Sequence, residues 1–401
     1  MTLVKVPDSV PDFYRHVYCI MGLPFDAHTL ALARQGLVES IAQRKRCVII
    51  TPNVNFIAAC QGDAAFRDLL LKSDMSLVDG MPIFLIARLL GLPIPERVSG
   101  AGMFESLAER QTENPISVYL FGEAPGIARS ASEEIQINAT GMTSAGWFEP
   151  TFSSVETLSE SQIIDEINGS HADFLVIALG AQKGQRWIDL NVNRLSIPAI
   201  CHLGAVIKMT AGVIRRAPAW VQKLGLEWLW RIKEEPFLWS RYQRDAFVLL
   251  KLLFNRIFPY VGFRIVRRLS NGRGLPAESK AGRRAGVQSL RLSGHWREVD
   301  SEVLRSAFTR MAESGDDIEL DLSELTYLDS AIVGLLLLLR GHCLRSGARM
   351  QVRSISAPAK RILYYLCAEF LLDPVIGSPQ TSASELSKPF SLSGNDAEFA
   401  E

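Results

Sequence analysis

The 401-residue chain lacks a cysteine framework. Its six cysteines, at positions 19, 47, 60, 201, 343 and 367, are scattered, and none belongs to a Cys-x-x-Cys motif or a Cys/His cluster. This spacing argues against a disulfide-stapled fold and against a zinc site. It is typical of a protein that stays in a reducing cytoplasm.

Long uncharged apolar runs are also missing. The first sixteen residues contain no apolar core of signal-peptide length, and no window reaches about 18 uncharged apolar residues. We therefore expect no membrane span. The composition, 48% apolar and 21% charged, is that of a chain with a large core. The length favours two or three domains.

The net charge is zero, but a basic block stands out. Residues 241–291 hold twelve Lys and Arg against two acids, which favours an anionic surface of lipid or nucleic acid. The block is also apolar and lacks a recognisable nucleic-acid-binding fold, so lipid is favoured. Residues 246–266 resemble a basic amphipathic helix, broken near Pro259, that lies in a membrane interface. The alternative is a helix docked on its own domain.

Strand, loop and helix alternate through the first half of the chain. Short apolar runs predict strands at 17–22, 46–50, 75–78, 117–120, 174–179 and 199–203. The pattern predicts an α/β fold with a parallel, Rossmann-like sheet and helices on both faces. Ligands of such sheets bind beyond the carboxyl ends of the strands. The residues that fall there are Thr51, Asn53, Asp79, Gly122, Gly180 and Gly204.

The segment from 73 to 102 combines an acid and a base around an apolar helix. Asp79 and Gly80 follow a strand, Pro82 suits the first turn of a helix, and Arg97 lies in a Pro-rich turn beyond it. A carboxylate can take a proton, and a guanidinium can hold an anionic leaving group. The alternative is that Asp79 only caps the helix and Arg97 is solvated.

Two further stretches have open interpretations. The loop from Gly122 to Gly126 precedes a helix, so its N–H groups can cradle a diphosphate; the glycines can equally be needed for turn geometry. Arg215 and Arg216 precede a stretch that holds four tryptophans between positions 220 and 239. Such a mixture binds a sugar or nucleotide, or forms core.

A second, smaller α/β domain is predicted after a Gly-, Arg- and Ser-rich linker at 270–286. Its expected strands are 289–292, 317–322 and 349–353, and its expected helices are 299–312, 332–345 and 358–370. The tail is polar and expected to be disordered. The predicted divisions are a first domain at 1–245, a membrane-associating segment and linker at 246–287, a second domain at 288–377 and a tail at 378–401.

Several short motifs follow one another in the first domain. They are Thr51-Pro52-Asn53, Asp79-Gly80, Pro95-Glu96-Arg97-Val98-Ser99-Gly100, Arg216-Ala217-Pro218 and Gly225-Leu226-Glu227-Trp228. Their order, over about 200 residues, makes the domain resemble the WecG/TagA/CpsF glycosyltransferase family. The resemblance implies an inverting transferase that passes a sugar from a UDP-sugar to a sugar on undecaprenyl diphosphate. Such enzymes work peripherally on the inner face of the membrane, for cell-surface polysaccharides.

The same resemblance implies roles for individual residues. The position of Asp79 is that of the base, and those of Thr51, Asn53 and Arg97 line the site. Gly180 and Lys183 keep the glycine and lysine of a family motif and are assigned to the substrate. The domain has no Asp-x-Asp, so no metal or other cofactor is expected. Arg97, Arg215 or Arg216 would replace the cation.

Three positions depart from the family pattern. Gly184 and Gln185 stand where a polar residue and an acid are usual, and Lys208 stands where an acid is common. We expect these changes to alter the preferred sugar. They also motivate an alternative function, in which a catalytically lapsed domain senses a nucleotide-sugar or lipid intermediate.

The second domain resembles the STAS family. The resemblance rests on Asp321-Leu322-Ser323 and on Tyr327-Leu328-Asp329-Ser330 before an apolar helix. It implies docking of a protein partner that the sequence does not identify. In some STAS proteins the turn carries a phosphorylated hydroxyl, so Ser330 is a candidate phosphosite; Ala331 and Ile332 replace a second hydroxyl and a glycine.

Overall fold

A short hairpin opens the fold. The computed structural model describes residues 12–150, 154–269, 275–284 and 286–376. Val17–Ile20 (β1) and Leu23–Asp26 (β2) pair antiparallel around Gly22, whose φ of +86° suits the tight turn. The strand predicted at 17–22 is therefore present as β1, but it pairs with β2 and does not belong to the parallel sheet.

The first domain is built on a six-stranded sheet, in the order β4-β3-β8-β7-β5-β6, with every neighbouring pair parallel. Its strands are β3 (Cys47–Ile50), β4 (Met75–Ser76), β5 (Ile116–Gly122), β6 (Met142–Phe148), β7 (Phe174–Ala178) and β8 (Ala199–His202). The predicted parallel α/β fold is confirmed. Strand β6 was not predicted, because this half-exposed edge strand carries Thr, Ser and Gly rather than an apolar run.

Helices cover both faces of this sheet, because alternate residues of a strand point to opposite sides. In β7, Val176 belongs to one apolar cluster and Leu175 and Ile177 to another. The helices are α1 (Leu30–Ala42), α2 (Val54–Gly62), α3 (Ala64–Leu71), α4 (Met81–Leu89), α5 (Gly100–Ala108), α6 (Ile127–Asn138), α7 (Ser161–Gly169), α8 (Ala181–Asn191), α9 (Val206–Thr210), α10 (Ala219–Lys223) and α11 (Glu227–Glu234).

A long helix, here called the connecting helix, joins the two domains. It comprises α12 (Trp239–Leu252), a π-helical turn (Leu253–Ile257) and α13 (Phe258–Leu269). The predicted break near Pro259 does not occur, since the proline follows a π turn that relaxes the hydrogen-bond ladder.

The connecting helix has one packed face and one exposed apolar face. The exposed side chains include Phe247, Leu250, Phe254 and Phe258. By length and composition alone, Pro236–Arg267 is long and apolar enough to cross a membrane, with at most two charges in an 18-residue window. The expectation of no membrane span had been based on windows that contain no charged residue at all.

The second domain has the strand order β12-β11-β10-β9. Its elements are β9 (Glu278–Arg284), β10 (Val287–Trp296), α14 (Ser301–Ser314), β11 (Asp317–Leu328), α15 (Ser330–Ser346), β12 (Met350–Ile355) and α16 (Ala357–Tyr365). The predicted linker is wrong over 278–284. That stretch is an antiparallel edge strand whose exposed basic side chains give it the composition of a linker. The tail at 378–401 lies outside the described residues.

The two domains share one apolar core. Helix α15 is buried on nearly all sides, and its leucines cluster with residues of the β1–β2 hairpin and of α4. Polar contacts add to this core: the buried Arg305 of α14 donates to the Phe13 and Arg15 carbonyls. The second domain is therefore packed onto the first as core, rather than tethered beside it.

Candidate active site

The carboxyl ends of β3 and β4 bring the first predicted site residues together. Thr51 is buried at the end of β3, and Asn53 begins α2. The Asp79 N–H donates to the Pro52 carbonyl over 3.3 Å. Thr51, Asn53 and Asp79 thus lie together at the carboxyl ends of β3 and β4.

Asp79 is not the cap of the helix that follows it. The N-cap of α4 is Gly80, with a φ of +97°, and no side chain caps this helix. Pro82 lies in the first turn, where its missing N–H costs nothing. The alternative interpretation of Asp79 as the cap of α4 is therefore wrong; its half-buried side chain accepts from the N–H groups of Gly80 and Gly100 instead.

Charged neighbours set the properties of this carboxylate. Burial raises the pKa of Asp79 to about 6, Arg97 opposes the rise, and Glu227 adds to it. The N–H groups of Gly80 and Gly100 also favour the ionised form. Near neutral pH the group can therefore exchange a proton, which is the requirement for a general base.

Two arginines lie beside Asp79, each with an acidic partner. Arg97 is ion-paired with Glu227 of α11, and Arg216 is ion-paired with Glu105 of α5. Asp79 also interacts electrostatically with Arg216, whose side chain is partly buried. The arrangement offers two guanidinium groups for an anion next to one titratable carboxylate.

Helices α10 and α11 close over the start of α4. Gly225, with a φ of +73°, packs so tightly on Met81 that any Cβ would overlap it. Beside this contact lies a cavity of about 420 Å³, lined by Met81, Phe84, Arg97, Ala219 and Gln222 among others. The cavity adjoins the charged cluster and has room for part of a small ligand.

The loop from Gly122 to Gly126 does not offer the predicted diphosphate cradle. The N–H groups of Gly126 and Arg129 already donate to the Glu149 carboxylate, over 2.7 and 2.8 Å. Gly122, with a φ of +126°, is needed because a Cβ would overlap the Ala178 backbone. The geometric interpretation of these glycines is the better one.

Three other candidates lie at the start of α8 and in the segment between α9 and α10. Gly180 caps α8 with a φ of +80°, and Lys183 is half-buried in the first turn of that helix. The Arg215 side chain is exposed, while its backbone N–H donates to Glu234 and its carbonyl accepts from Trp230. The structure thus separates Arg216, at the site, from its neighbour Arg215.

Two of the three departures from the family pattern have local structural partners. Gly184 is required because a Cβ would overlap the His202 ring at the end of β8. Lys208 lies 3.6 Å from Glu123 and 3.3 Å from Glu235, so its charge is paired. Gln185 is buried.

Two residues of the site were not predicted from the sequence. Glu227 was noticed only as part of the Gly-Leu-Glu-Trp motif, and Tyr242 only as part of an aromatic stretch. Burial raises the pKa of the Tyr242 hydroxyl, and the Asp79 charge contributes to that rise. The order of the motifs indicated that these segments belong to the site, but it did not indicate which of their side chains are in contact.

Ser330 is placed in the interface between the domains. It is 4% exposed, and its hydroxyl donates to the Cys19 carbonyl of β1 over 2.8 Å. A kinase cannot reach this hydroxyl while the domains are packed, so the arrangement argues against Ser330 as a phosphosite.

A metal-ligand set is not apparent. Across residues 12–376, apart from the three short gaps, no group of three His, Cys, Asp or Glu side chains comes together to hold an ion.

Known proteins match both parts of the chain. Residues 18–261 match the glycosyl transferase WecG/TagA/CpsF family, and residues 281–368 match the Mlab, STAS domain. Similar curated proteins are N-acetylglucosaminyldiphosphoundecaprenol N-acetyl-beta-D-mannosaminyltransferases. That of Bacillus spizizenii is 24% identical over 50% of this chain and 76% of its own length. Those of Bacillus subtilis and Staphylococcus aureus (strain MW2) are 25% and 20% identical, over 50% and 56% of this chain and 77% and 86% of their own lengths.

Proposed function

The chain belongs to the WecG/TagA/CpsF glycosyltransferase family and carries a STAS domain at residues 281–368; from this membership we propose its reaction. It moves a hexose or N-acetylhexosamine, or the corresponding uronic acid, from a UDP-sugar to an undecaprenyl-diphosphate-linked sugar. The activities of the relatives named above support an N-acetylmannosaminyl donor and an N-acetylglucosaminyl-diphospholipid acceptor. The product serves a cell-surface polysaccharide.

The observation that carries the proposal is the Asp79 carboxylate beside Arg97 and Arg216. In a single displacement, Asp79 takes the proton of the acceptor hydroxyl while the hydroxyl oxygen attacks the anomeric carbon of the donor. The bond from that carbon to the diphosphate breaks, UDP leaves with the electron pair, and the configuration inverts. One base suffices, in contrast to the carboxylate pair of a glycosidase.

The departing diphosphate needs positive charge, and we assign it to arginines rather than to a metal. Arg97 and Arg216 are both held in place by acids, Glu227 and Glu105. Fixed guanidinium groups stabilise developing negative charge without reorganising during the reaction. This arrangement supports a metal-independent transfer.

The acceptor lipid lies in a membrane, and we propose that the connecting helix lies flat on its anionic inner face. The exposed apolar face of this helix includes Phe247 and Phe254, which are 71% and 65% exposed. Arg244 and Lys251 are exposed along the same helix. An apolar face with basic residues along it is typical of interfacial helices.

Flotation with vesicles tests the membrane part of the proposal. The full chain should float with vesicles that contain anionic lipid, and F247S/F254S should float far less. Ile137→Ser, at a side chain that is 76% exposed on α6, is the matched control and should behave as wild type. Equal flotation of all three proteins would remove the connecting helix as the contact.

A second candidate function is the lapsed sensor, motivated by Gly184, Gln185 and Lys208. Two of these departures are accommodated locally, by His202 and by the paired charges around Lys208. The cluster of Asp79, Arg97 and Arg216 is intact, which favours the enzyme.

UDP release tests the reaction. Wild type and Asp79→Asn are supplied with UDP-glucose, UDP-N-acetylglucosamine, UDP-N-acetylmannosamine or its uronic acid, each with a short-chain lipid diphosphate sugar. Acceptor-dependent release by wild type alone supports the proposal, and the active donor identifies the sugar. UDP binding without turnover of any donor would instead support the sensor.

A further inference from the structure

The helix that follows the proposed base is held at two places, and the elements that hold it are themselves in contact with the second domain. Helix α4 begins two residues after Asp79 and ends at Leu89. It packs against β1 of the hairpin, and its buried side chains Ile83 and Ile86 belong to the core shared with α15. Its position therefore depends on the hairpin and on what supports its far end.

The hairpin is fixed by α15. The Ser330 hydroxyl donates to the Cys19 carbonyl over 2.8 Å. One turn further on, Gly334 allows the Val17 backbone so close that an added Cβ would lie 3.0 Å from the Val17 carbonyl oxygen. Such close backbone approach leaves little freedom for β1 to shift while the domains are packed.

The far end of α4 is held by α13. The Arg264 guanidinium donates to the carbonyl of Leu90, the C-cap of α4, where helix carbonyls lack intrahelical partners. A cation at this end also complements the helix dipole. Arg264 in turn lies 5.8 Å from the centre of the ring of Tyr260, which is fully buried.

Helix α13 and the preceding π turn are anchored to the second domain. Arg267 lies 2.8 Å from His295 Nδ1 and 4.4 Å from the centre of the Tyr327 ring. Arg256 is 2.8 Å from Glu369 and stacks 3.4 Å from the Tyr364 ring centre. Arg256 and Arg267 of the connecting helix are therefore engaged in contacts with the second domain.

We propose that the second domain is a positioning element of the active site, and that Arg264 is the positioning residue through which α13 acts on α4. With both contacts made, α4 holds Asp79 beside Thr51 and Asn53. Without them, α4 can shift along the hairpin, and the base loses its alignment with the acceptor hydroxyl. The STAS partner in this protein is accordingly the glycosyltransferase domain of the same chain.

This inference rests on the proposed glycosyl transfer, and steady-state kinetics of the full chain test it. Arg264→Ala should lower kcat about tenfold or more, because small misplacements of a catalytic group cost rate steeply. The donor KM should stay unchanged, since Arg97 and Arg216 are not moved. Arg264→Lys keeps a charged donor and should recover most of kcat. Arg353→Ala removes a surface pair with Glu319 in the same domain and should match wild type.

A second readout separates this inference from the reaction itself. Hydrogen–deuterium exchange should be faster for the backbone amides of 79–90 in Arg264→Ala than in wild type, and unchanged in Arg353→Ala. Wild-type kcat together with wild-type exchange in Arg264→Ala would overturn the inference. A wild-type chain that releases no UDP with any donor would overturn the reaction, and the exchange experiment would still decide the inference.

If Arg264→Ala does not fold, Arg264→Lys and Ser330→Ala carry the test. Ser330→Ala leaves the Cys19 carbonyl without its partner and loosens the hairpin instead of α13. A lower kcat at unchanged donor KM in Ser330→Ala, with most of kcat retained in Arg264→Lys, supports the inference, and wild-type kcat in Ser330→Ala overturns it.

Discussion

Two aspartates in this chain occupy the same kind of place and do different things. Asp79 and Asp329 each follow a strand and precede an apolar helix, and burial raises the pKa of both. The Asp329 carboxylate caps α15 by accepting from the Ala331 and Ile332 N–H groups, and it also accepts from Glu298 N–H over 2.8 Å.

Asp79 lies one residue further from its helix: Gly80 is the N-cap of α4, and the Asp79 carboxylate accepts from the N–H groups of Gly80 and Gly100 instead of capping α4. The comparison shows that a carboxylate before a helix need not cap it when the next residue takes the N-cap position. The residue after the aspartate also differs between the two sites: it is Gly80 after Asp79 and Ser330 after Asp329.

The largest expected effect is on catalysis at Asp79. Asp79→Asn should lower the rate of UDP release by about 10²–10⁴-fold, the usual contribution of a general base. Asp329→Asn, which keeps a capping oxygen, should retain most of the activity. Equal losses in the two variants would break the distinction between base and cap.

The next effect is on folding at Asp329. Asp329→Ala should lower the free energy of unfolding by about 1–2 kcal/mol, because it removes an N-cap and leaves the Glu298 N–H unpaired. Urea denaturation measures it. Asp329→Asn is the control and should lose much less; an equal loss would show that the charge, rather than the cap, stabilises α15.

A third prediction concerns stability and pH at Asp79. Its pKa in the folded protein, about 6, is above the unfolded value near 3.9, so ionisation disfavours folding. The cost begins as the pH rises past the unfolded value and is complete above about 6. Asp79→Asn should therefore melt above wild type at pH 7.5, and the difference should vanish near pH 4. A variant that melts below wild type at pH 7.5 would contradict this.

The smallest effect sharpens the electrostatics of the site. The activity of wild type should rise with pH through about 6 as Asp79 ionises. Glu227→Gln removes a negative neighbour and releases Arg97, so the pKa of Asp79 should fall and the acid limb of kcat/KM should move to lower pH. Glu133→Gln, in an exposed pair on α6, should leave the limb in place. Movement toward higher pH would refute the role given to Glu227.

Much of the fold follows from local patterns. Buried parallel strands appear as apolar runs, so β3, β5, β7 and β8 were predictable. Strand-end positions indicated Thr51, Asn53 and Asp79, and the Pro-rich turn after the next helix indicated Arg97. Strands β6 and β9 lack such runs and were missed. The hairpin was mistaken for a sheet strand, because a buried antiparallel strand carries the same apolar signal.

The candidate site was harder to predict where partners come from distant segments. The carboxylate of Glu149, which follows the next strand, accepts from the N–H groups at the start of α6. The ligand-binding role of the Gly122–Gly126 loop could therefore not be judged from the sequence of the loop alone. Arg215 and Arg216 are adjacent, yet the Arg215 side chain is exposed, whereas Arg216 is partly buried and interacts with Asp79. These outcomes depend on contacts across tens of residues.

The sequence by itself determined the parallel sheet and the two domains, and it indicated Asp79 and Arg97 as the proposed base and its cationic neighbour, because apolar periodicity and strand-end motifs are local. Only the tertiary structure showed that the Ser330 hydroxyl is buried against the Cys19 carbonyl rather than exposed on the surface. It also showed that Arg264 donates to the Leu90 carbonyl at the end of the helix that follows Asp79. Both facts arise where α15 and α13 meet the first domain. The physical reason is that burial and hydrogen-bond partners are properties of packing between segments far apart in the chain, which no local pattern encodes.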